Sequence, residues 1–383
     1  MNRVVVVMPA FNEAENIGPM IDELCGKEFP KIINADMHLL VVDANSPDGT
    51  GKIVKDKLPK YKNLHLLSKE KGGLGADYVA GFKYAVSELS ADAVMEMDAD
   101  FQHPPRFVKP MVEAYLDGAD YVIGSRYIPG GSVPKEWATF RKAVSFFGNL
   151  FIRIVLVKPS LHDLTTGFRL TKVKGVLDKI DLDNIMEPKR FAYKVDLLYQ
   201  SIKNAKKVKE VPLEFASRTK EQSKFDTKEM VSTFRVAIIL GIRDKIRFIK
   251  FGTVGFVGYL VNAGFLWLFT KWQFPSALAW GLSTEFAIIN NFVFNNLWTF
   301  KSEKIQGVSM LLKKFLQFNG TSLGALLIQT VFGSISDLIL GAGHRQLVLP
   351  FIIVFLVLPY NYFMYNAVIW KTWKKIPIFG KKE

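Results

Sequence analysis

Two aspartates one residue apart, Asp98 and Asp100, stand with Gln102 just after the apolar run Ala93-Val94-Met95-Glu96-Met97. Their side chains are hard oxygen donors of the kind that hold Mg2+ or Mn2+ and leave positions for phosphate oxygens and water. A cation bridging a nucleotide diphosphate there would neutralise charge developing on a leaving group. His103, followed by Pro104, reads as a residue that orients the turn, with metal ligation as the alternative. Polar segments follow three other apolar runs: Pro9-Ala10-Phe11-Asn12-Glu13, then Asp43-Ala44-Asn45-Ser46-Pro47-Asp48-Gly49-Thr50, and Ser125-Arg126-Tyr127. Each alone could be a turn or a helix cap. As a set they read as a binding edge.

Further basic and glycine-rich groups fit the same chemistry. Lys71-Gly72-Gly73-Leu74-Gly75 opens a helix near Ala76; its amides could approach a phosphate, or the glycines could serve close packing. Arg126 and Arg141 read as phosphate ligands, with ion pairing as the alternative. Asp163 and Arg169 either shape the acceptor side or pair to stabilise a loop.

The elements that must position these groups alternate. Short runs at Val4–Val7, Leu39–Val42, Leu64–Leu67, Ala93–Met97 and Tyr121–Gly124 are separated by helical patterns such as Ala14–Gly26 and Ala76–Leu89. That order predicts right-handed βαβ crossovers and a mostly parallel α/β sheet, with ligands at the carboxyl ends of its strands.

The remainder of the chain has a different solvent. Its 383 residues carry a net charge of +14 and 49% hydrophobic residues, which excludes intrinsic disorder. From Ile246 onward, 13 basic residues face 4 acidic ones, between apolar stretches near 248–270, 275–297, 318–340 and 348–370. Each stretch is long enough to cross a hydrocarbon core. Arg243, Lys245, Arg247 and Lys250 precede the first; Lys301, Lys304, Lys313 and Lys314 separate the second and third; Lys371, Lys374, Lys375, Lys381 and Lys382 follow the fourth. The positive-inside rule then predicts a cytoplasmic N-terminal domain, 2–3 loop and C-terminus. Tryptophans 267, 272, 298, 370 and 373 lie near the span ends. Val4–Val7 is too short for a signal peptide. The basic and apolar stretch 228–247 predicts an interfacial helix. No zinc-ligand cluster or recognition helix suggests nucleic acid. The single cysteine, Cys25, predicts a small core residue.

Residues 1–230 resemble family 2 glycosyltransferases of the glycosyltransferase-A fold, and specifically the dolichol-phosphate (polyprenol-phosphate) mannose synthases. The segments Pro9–Glu13, Ser46–Thr50, Gly73-Leu74-Gly75, Met97–Pro104 and Gly124–Tyr127 fall in that family's order. Residues 246–372 resemble the four-helix GtrA-type membrane domain, through Arg247-Phe248, Asn290-Asn291-Phe292 and Trp298-Thr299-Phe300. The resemblance implies a cytoplasmic transferase domain over 1–227, the interfacial helix over 228–247, a membrane domain over 248–372 and a basic tail over 373–383. It implies inverting transfer of mannose from GDP-mannose to dolichyl (polyprenyl) phosphate at a lipid bilayer, in a prokaryotic plasma membrane, with oligomerisation left open. Pro9, Phe11, Glu13, Val42 and Asp43 would line the nucleotide pocket beside the Ala99 backbone, and Asp98, Asp100 and Gln102 would hold Mg2+ or Mn2+. Arg126 and Arg141 would clamp phosphate, with Ser145 near the acceptor phosphate; Arg218, Lys220 and Lys224 would close over the donor. Ala44 and Glu221 depart from the family pattern, where aspartate and glycine are usual, and both weaken the case for GDP.

A lipid phosphate is an anion at neutral pH, so positioning and charge stabilisation matter more than a general base. Three other readings compete. A related transferase could use UDP-glucose or UDP-N-acetylglucosamine. A processive polysaccharide synthase would be expected to carry Gln-x-x-Arg-Trp, which is absent. A lipid-linked sugar flippase would use Glu285, Asn290, Asn291 and Asp337 at membrane depth, where hydrogen bonding between helices is the alternative.

Overall fold

A computed structural model describes residues 1–217, 227–340, 348 and 351–372. They divide into two compact units, Met1–Arg243 and Asp244–Glu383. In the first unit seven strands form one sheet: β1 (Asn2–Ala10), β2 (Ala35–Asp43), β3 (Leu64–Ser68), β4 (Ala93–Glu96), β5 (Tyr121–Ser125), β6 (Arg169–Lys172) and β7 (Val208–Pro212), in the order β3-β2-β1-β4-β6-β5-β7. The five strands expected from sequence are β1 to β5. β1 pairs in parallel with β2 and β4, and Val7 stands opposite both Leu40 and Glu96.

The run Val4–Val7 does not alternate with polar residues because β1 is covered on both faces. Val4, Val6 and Met8 enter one apolar core with Ile17 and Met111; Val5 and Val7 enter another with Tyr78 and Phe82. Helices α1 (Ala14–Glu23) and α4 (Val108–Leu116) cover the first face, and α3 (Leu74–Ser87) the second; α2 (Thr50–Lys57) follows β2. A strand buried on both sides reads as a continuous apolar run. The helix expected over Ala14–Gly26 ends sooner, at Glu23, and a π-helical turn, Leu24–Glu28, continues it.

Two strands escape sequence pattern. β6 is antiparallel to both neighbours and inserts between β4 and β5, while β7 lies parallel to β5. β6 reads Arg-Leu-Thr-Lys, yet Arg169 and Thr171 are buried. Their polar atoms are tolerated by tertiary partners, which no local period announces. Beyond β5 come α5 (Thr139–Val155) and α6 (Tyr193–Asn204). α5 leaves Phe140, Phe146, Phe147 and Ile154 exposed.

Cys25 is the small core residue expected, 6% exposed. Burial pushes its thiol up to about 12, with the Asp22 charge adding to the effect. The thiolate is the reactive form, so the native chain is expected to give no fast reaction with a thiol reagent at pH 7. One equivalent should appear on denaturation, as read by absorbance.

Helix α7 (Thr227–Lys271) runs through the boundary between the units. The expected interfacial helix and first span are therefore one uninterrupted helix, with no proline between Thr227 and Lys271 to break its hydrogen-bond ladder. The second unit adds α8 (Ser276–Phe294), α9 (Val308–Leu340) and α10 (Leu358–Met364), the last between π-helical turns at Ile353–Val357 and Tyr365–Ile369. Among the described residues Lys245–Phe269 is long and apolar enough to cross a membrane, and Ile353–Ile369 is a shorter apolar helix. Phe251, Phe292, Phe300, Phe318, Tyr365 and Trp370 form this unit's core. Glu285 accepts a hydrogen bond from Asn319 at 3.4 Å, and Asn290 donates to Asn291 at 3.4 Å. The first joins α8 to α9, as expected of polar contacts between helices. The side chain of Asp337, the residues Arg218, Lys220, Glu221 and Lys224, and the tail from Trp373 lie outside the described residues.

Candidate active site

The carboxyl ends of β2, β1 and β4 are neighbours in the sheet, and β1 is the strand at which the order reverses direction. That is where a parallel α/β sheet opens a crevice. The loops after β1 and β2 are stitched together there. Ala44 N donates to Ala10 O at 3.1 Å, Asn12 N to Ser46 Oγ at 3.2 Å, Glu13 N to Thr50 Oγ1 at 2.9 Å and Ala14 N to Asp48 Oδ2 at 2.9 Å. Asp48 thus caps α1 and also binds Thr50 at the start of α2, so that aspartate is structural. Asp43 is buried and accepts from the Ser46 hydroxyl at 2.6 Å. Phe11 stays partly exposed with the Lys71 ammonium 3.3 Å from its ring centroid. Val42 packs its side chain into the core beneath α3, and Ala99 is buried, so these two can serve a ligand through backbone only.

After β4 the chain turns at Phe101, whose φ of 61° is left-handed. The turn brings Gln102 N to Asp100 Oδ1 at 3.1 Å. Asp98 Oδ1 accepts from the Tyr78 hydroxyl at 2.9 Å, and its Oδ2 lies 3.5 Å from the Lys194 ammonium. Burial acts to raise the Asp98 carboxyl, but Lys194, His103 and Tyr78 outweigh it and hold the carboxyl below its usual range. Lys194 is 2% exposed, and among the described residues its Nζ lacks a hydrogen-bond partner. A Cβ at Gly167 would collide with that ammonium, so Gly167 leaves the room it occupies. Sequence reading missed Lys194. Its only signal was a lysine in the apolar start of a helix.

His103 takes the orienting role expected of it. Its Nδ1 accepts the Asp98 amide at 3.1 Å, and its ring stacks on Phe168 with centroids 5.1 Å apart. Burial drives its imidazole down to about 4, with Lys194, Arg126 and Arg169 adding and Asp98 opposing. It is neutral at physiological pH.

Because β6 runs antiparallel between β4 and β5, the loop that precedes it reaches the same sheet edge. This loop delivers Asp163 to Arg126. Arg126 donates through Nε and Nη2 to the two Asp163 oxygens at 2.7 and 2.8 Å, and through its amide at 3.0 Å. Asp163 is fully buried, and Arg126 is 8% exposed. Of the two readings of Asp163 and Arg169, the mutual pair is not formed, since Asp163 takes Arg126. Arg169 instead stands opposite Glu96 in the ladder and donates to the carbonyls of Lys194 and Leu164. Phe215 lies between the two halves of the site, 5.4 Å from His103 and 5.5 Å from the Arg126 guanidinium. Arg126, Ser145, Gly148, Thr165 and Phe191 line a cavity of about 220 Å3 together with Phe234 of α7. Ser145 hydrogen-bonds the Tyr127 hydroxyl at 2.6 Å, and Arg141 stacks 3.9 Å over Trp137.

The glycine loop serves close packing. A Cβ at Gly75 would lie 2.6 Å from the Tyr193 ring and 2.7 Å from Pro188 O, and Gly73, at φ 98°, abuts the Lys189 backbone. Gly75→Ala is expected to destabilise the protein by about 1–3 kcal/mol, seen as a lower denaturation midpoint of the full chain.

The donor chemistry fits a divalent cation of the magnesium class. Asp100 and Gln102 offer carboxylate and carboxamide oxygens at the strand end, and Asp98 adds a carboxylate already shared with Tyr78 and Lys194. Among the described residues no three acidic, histidine or cysteine side chains converge into an all-protein cage. A magnesium-type ion is held by one or two carboxylates plus phosphates and water.

The mostly parallel sheet, with carboxylates at its strand ends, fits the glycosyltransferase-A class, and the family match makes the chain a glycosyltransferase. The comparisons agree on both halves of the chain. Residues 5–178 match the glycosyl transferase family 2 model, and residues 250–370 match the GtrA/DPMS transmembrane domain. The dolichol-phosphate mannosyltransferase of Pyrococcus furiosus is 33% identical over 316 residues, 82% of this chain and 85% of that protein. The polyprenol monophosphomannose synthase of Mycolicibacterium smegmatis is 35% identical over 246 residues, 64% of this chain and 89% of that one. The undecaprenyl-phosphate mannosyltransferase of Micrococcus luteus is 36% identical over 223 residues, 58% and 87%. The chain belongs to the dolichol-phosphate (polyprenol-phosphate) mannose synthase family of family 2 glycosyltransferases, and it is a membrane protein.

Proposed function

We propose that the chain transfers mannose from GDP-mannose to dolichyl or another polyprenyl phosphate, with inversion and with Mg2+ or Mn2+. The observation that carries this reading is the shared sheet edge. The Asp98–Gln102 turn and the Phe11–Asp43 corner lie on neighbouring strands, and Arg126 with Ser145 lines a cavity beyond β6. Asp100 and Gln102, backed by Asp98, would hold the cation, which when bound offsets charge on the leaving diphosphate. Lys194 keeps Asp98 ionised and fixed. Arg126 and Arg141 supply positive charge on the acceptor side, where phosphate is already anionic. His103 is neutral, buried and tied to a backbone amide, which argues against a histidine base. The basic loops support a cytoplasmic side for the catalytic unit, the 2–3 loop and the C-terminus under the positive-inside rule, and the reading takes the membrane to be a prokaryotic plasma membrane.

Purified full-length protein with dolichyl phosphate and either cation tests this directly. GDP-mannose should give a mannosyl lipid, whereas UDP-glucose and UDP-N-acetylglucosamine should not. Product from a UDP-sugar alone would reassign the donor, and long glycan would point to a polysaccharide synthase. Sugar-lipid translocation in vesicles without any transfer would point to a flippase.

A further inference from the structure

A second cavity, of about 420 Å3, opens between the turn at Glu187–Arg190 and the first turns of α7. Its walls carry Glu187, Arg190, Lys228, Val231, Ser232 and Arg235. Ser232 is 7% exposed, and among the described residues its hydroxyl has no hydrogen-bond partner. A buried hydroxyl in that condition can donate to an oxygen acceptor from outside the protein. The charges around it lean positive. Arg190 lies 3.7 Å from Glu187 and 3.5 Å from Glu229, while Arg235 reaches Glu187 only at 4.0 Å and is 71% exposed. With Lys228, three cations stand against two carboxylates among the described residues.

The same helix says which kind of anion fits. Val231 at the cavity, and Ile238, Ile239 and Ile242 farther along, are all exposed. A free phosphate would leave these side chains in water, whereas a phospholipid brings both an anionic headgroup and an apolar surface. We propose that this cavity binds the phosphate headgroup of an anionic phospholipid. The Ser232 hydroxyl donates to a phosphate oxygen, Lys228 and Arg235 flank it, and Val231 meets the start of the acyl region. The site and the cavity lined by Arg126 and Ser145 draw on neighbouring residues of the same two segments. Phe191 and Phe234 line that cavity, Arg190 and Arg235 line this one, and Glu229 accepts the Phe191 amide at 2.8 Å.

The test uses full-length protein in phosphatidylcholine nanodiscs containing spin-labelled phosphatidylglycerol, with the immobilised fraction read by electron paramagnetic resonance. The double variant Lys228→Gln/Arg235→Gln is expected to weaken retention of the label about tenfold. Ser232→Ala, which removes no charge, should weaken it about threefold. Equal retention by the wild type and both variants overturns the proposal. So does displacement of the label by inorganic phosphate at concentrations that leave bilayer lipid unaffected, because that result describes a free-phosphate site. If the double variant fails to fold, Ser232→Ala carries the comparison. None of these readouts depends on sugar transfer, so failure of the lipid site and failure of the proposed donor are separately visible.

Discussion

Asparagine in place of Asp100 is expected to lower sugar transfer by roughly 10²–10³-fold in kcat, the scale of losing one charge-stabilising group at a transfer site. Saturation of the residual rate should require more Mg2+ or Mn2+, since the substitution removes a carboxylate from the cation's shell. Stability should change little, because the Gln102 amide can still donate to the asparagine carbonyl. Asp98→Asn gives a useful contrast. It leaves the buried Lys194 ammonium without its counter-ion, so it should cost of the order of 3 kcal/mol in stability as well as activity. Steady-state kinetics and denaturation midpoints on both variants separate the two roles. Full activity in Asp100→Asn would remove that residue from the chemistry.

The second large effect belongs to Arg126. Arg126→Met strands Asp163, which is fully buried, and a broken buried pair costs about 3–5 kcal/mol. Lysine should not rescue it, because the pair is bidentate and an ammonium is a point charge. The double variant Arg126→Met/Asp163→Asn removes both charges and should recover most of the stability, while transfer stays lost. If transfer returns with stability, Arg126 is a structural ion-pair residue and the acceptor phosphate is held elsewhere. The comparison matters because the guanidinium already spends Nε and Nη2 on Asp163. Whatever it offers an acceptor comes from the rest of the fork and from its charge.

How legible each residue was depended on how local its constraint is. The strand-end sets were readable because a buried parallel strand makes an unbroken apolar run, and polar groups immediately after it stand at the sheet edge. Asp98, Asp100, Asp43 and Arg126 were found in that way. Asp48 belongs to the same pattern but proves to be a cap, since an N-cap and a ligand use the same residue types. The glycine loop was ambiguous for a similar reason. Only the backbone of Pro188–Lys189 and the Tyr193 ring reveal that its glycines serve close approach.

Sequence alone determined the α/β alternation of the first unit, the polar groups that stand at its strand ends, the apolar character of the second unit and the family to which both belong. These follow from periodicity, composition and short motifs, all properties of neighbouring residues. Tertiary structure alone decided that β6 enters the sheet antiparallel, that Arg126 takes Asp163 from 37 residues away, and that Lys194 stands behind Asp98 in the space left by Gly167. Ladder pairing and buried-charge pairing join residues far apart in the chain. Their free energy depends on burial and on the geometry of the partner, and neither is written in the local pattern of either residue.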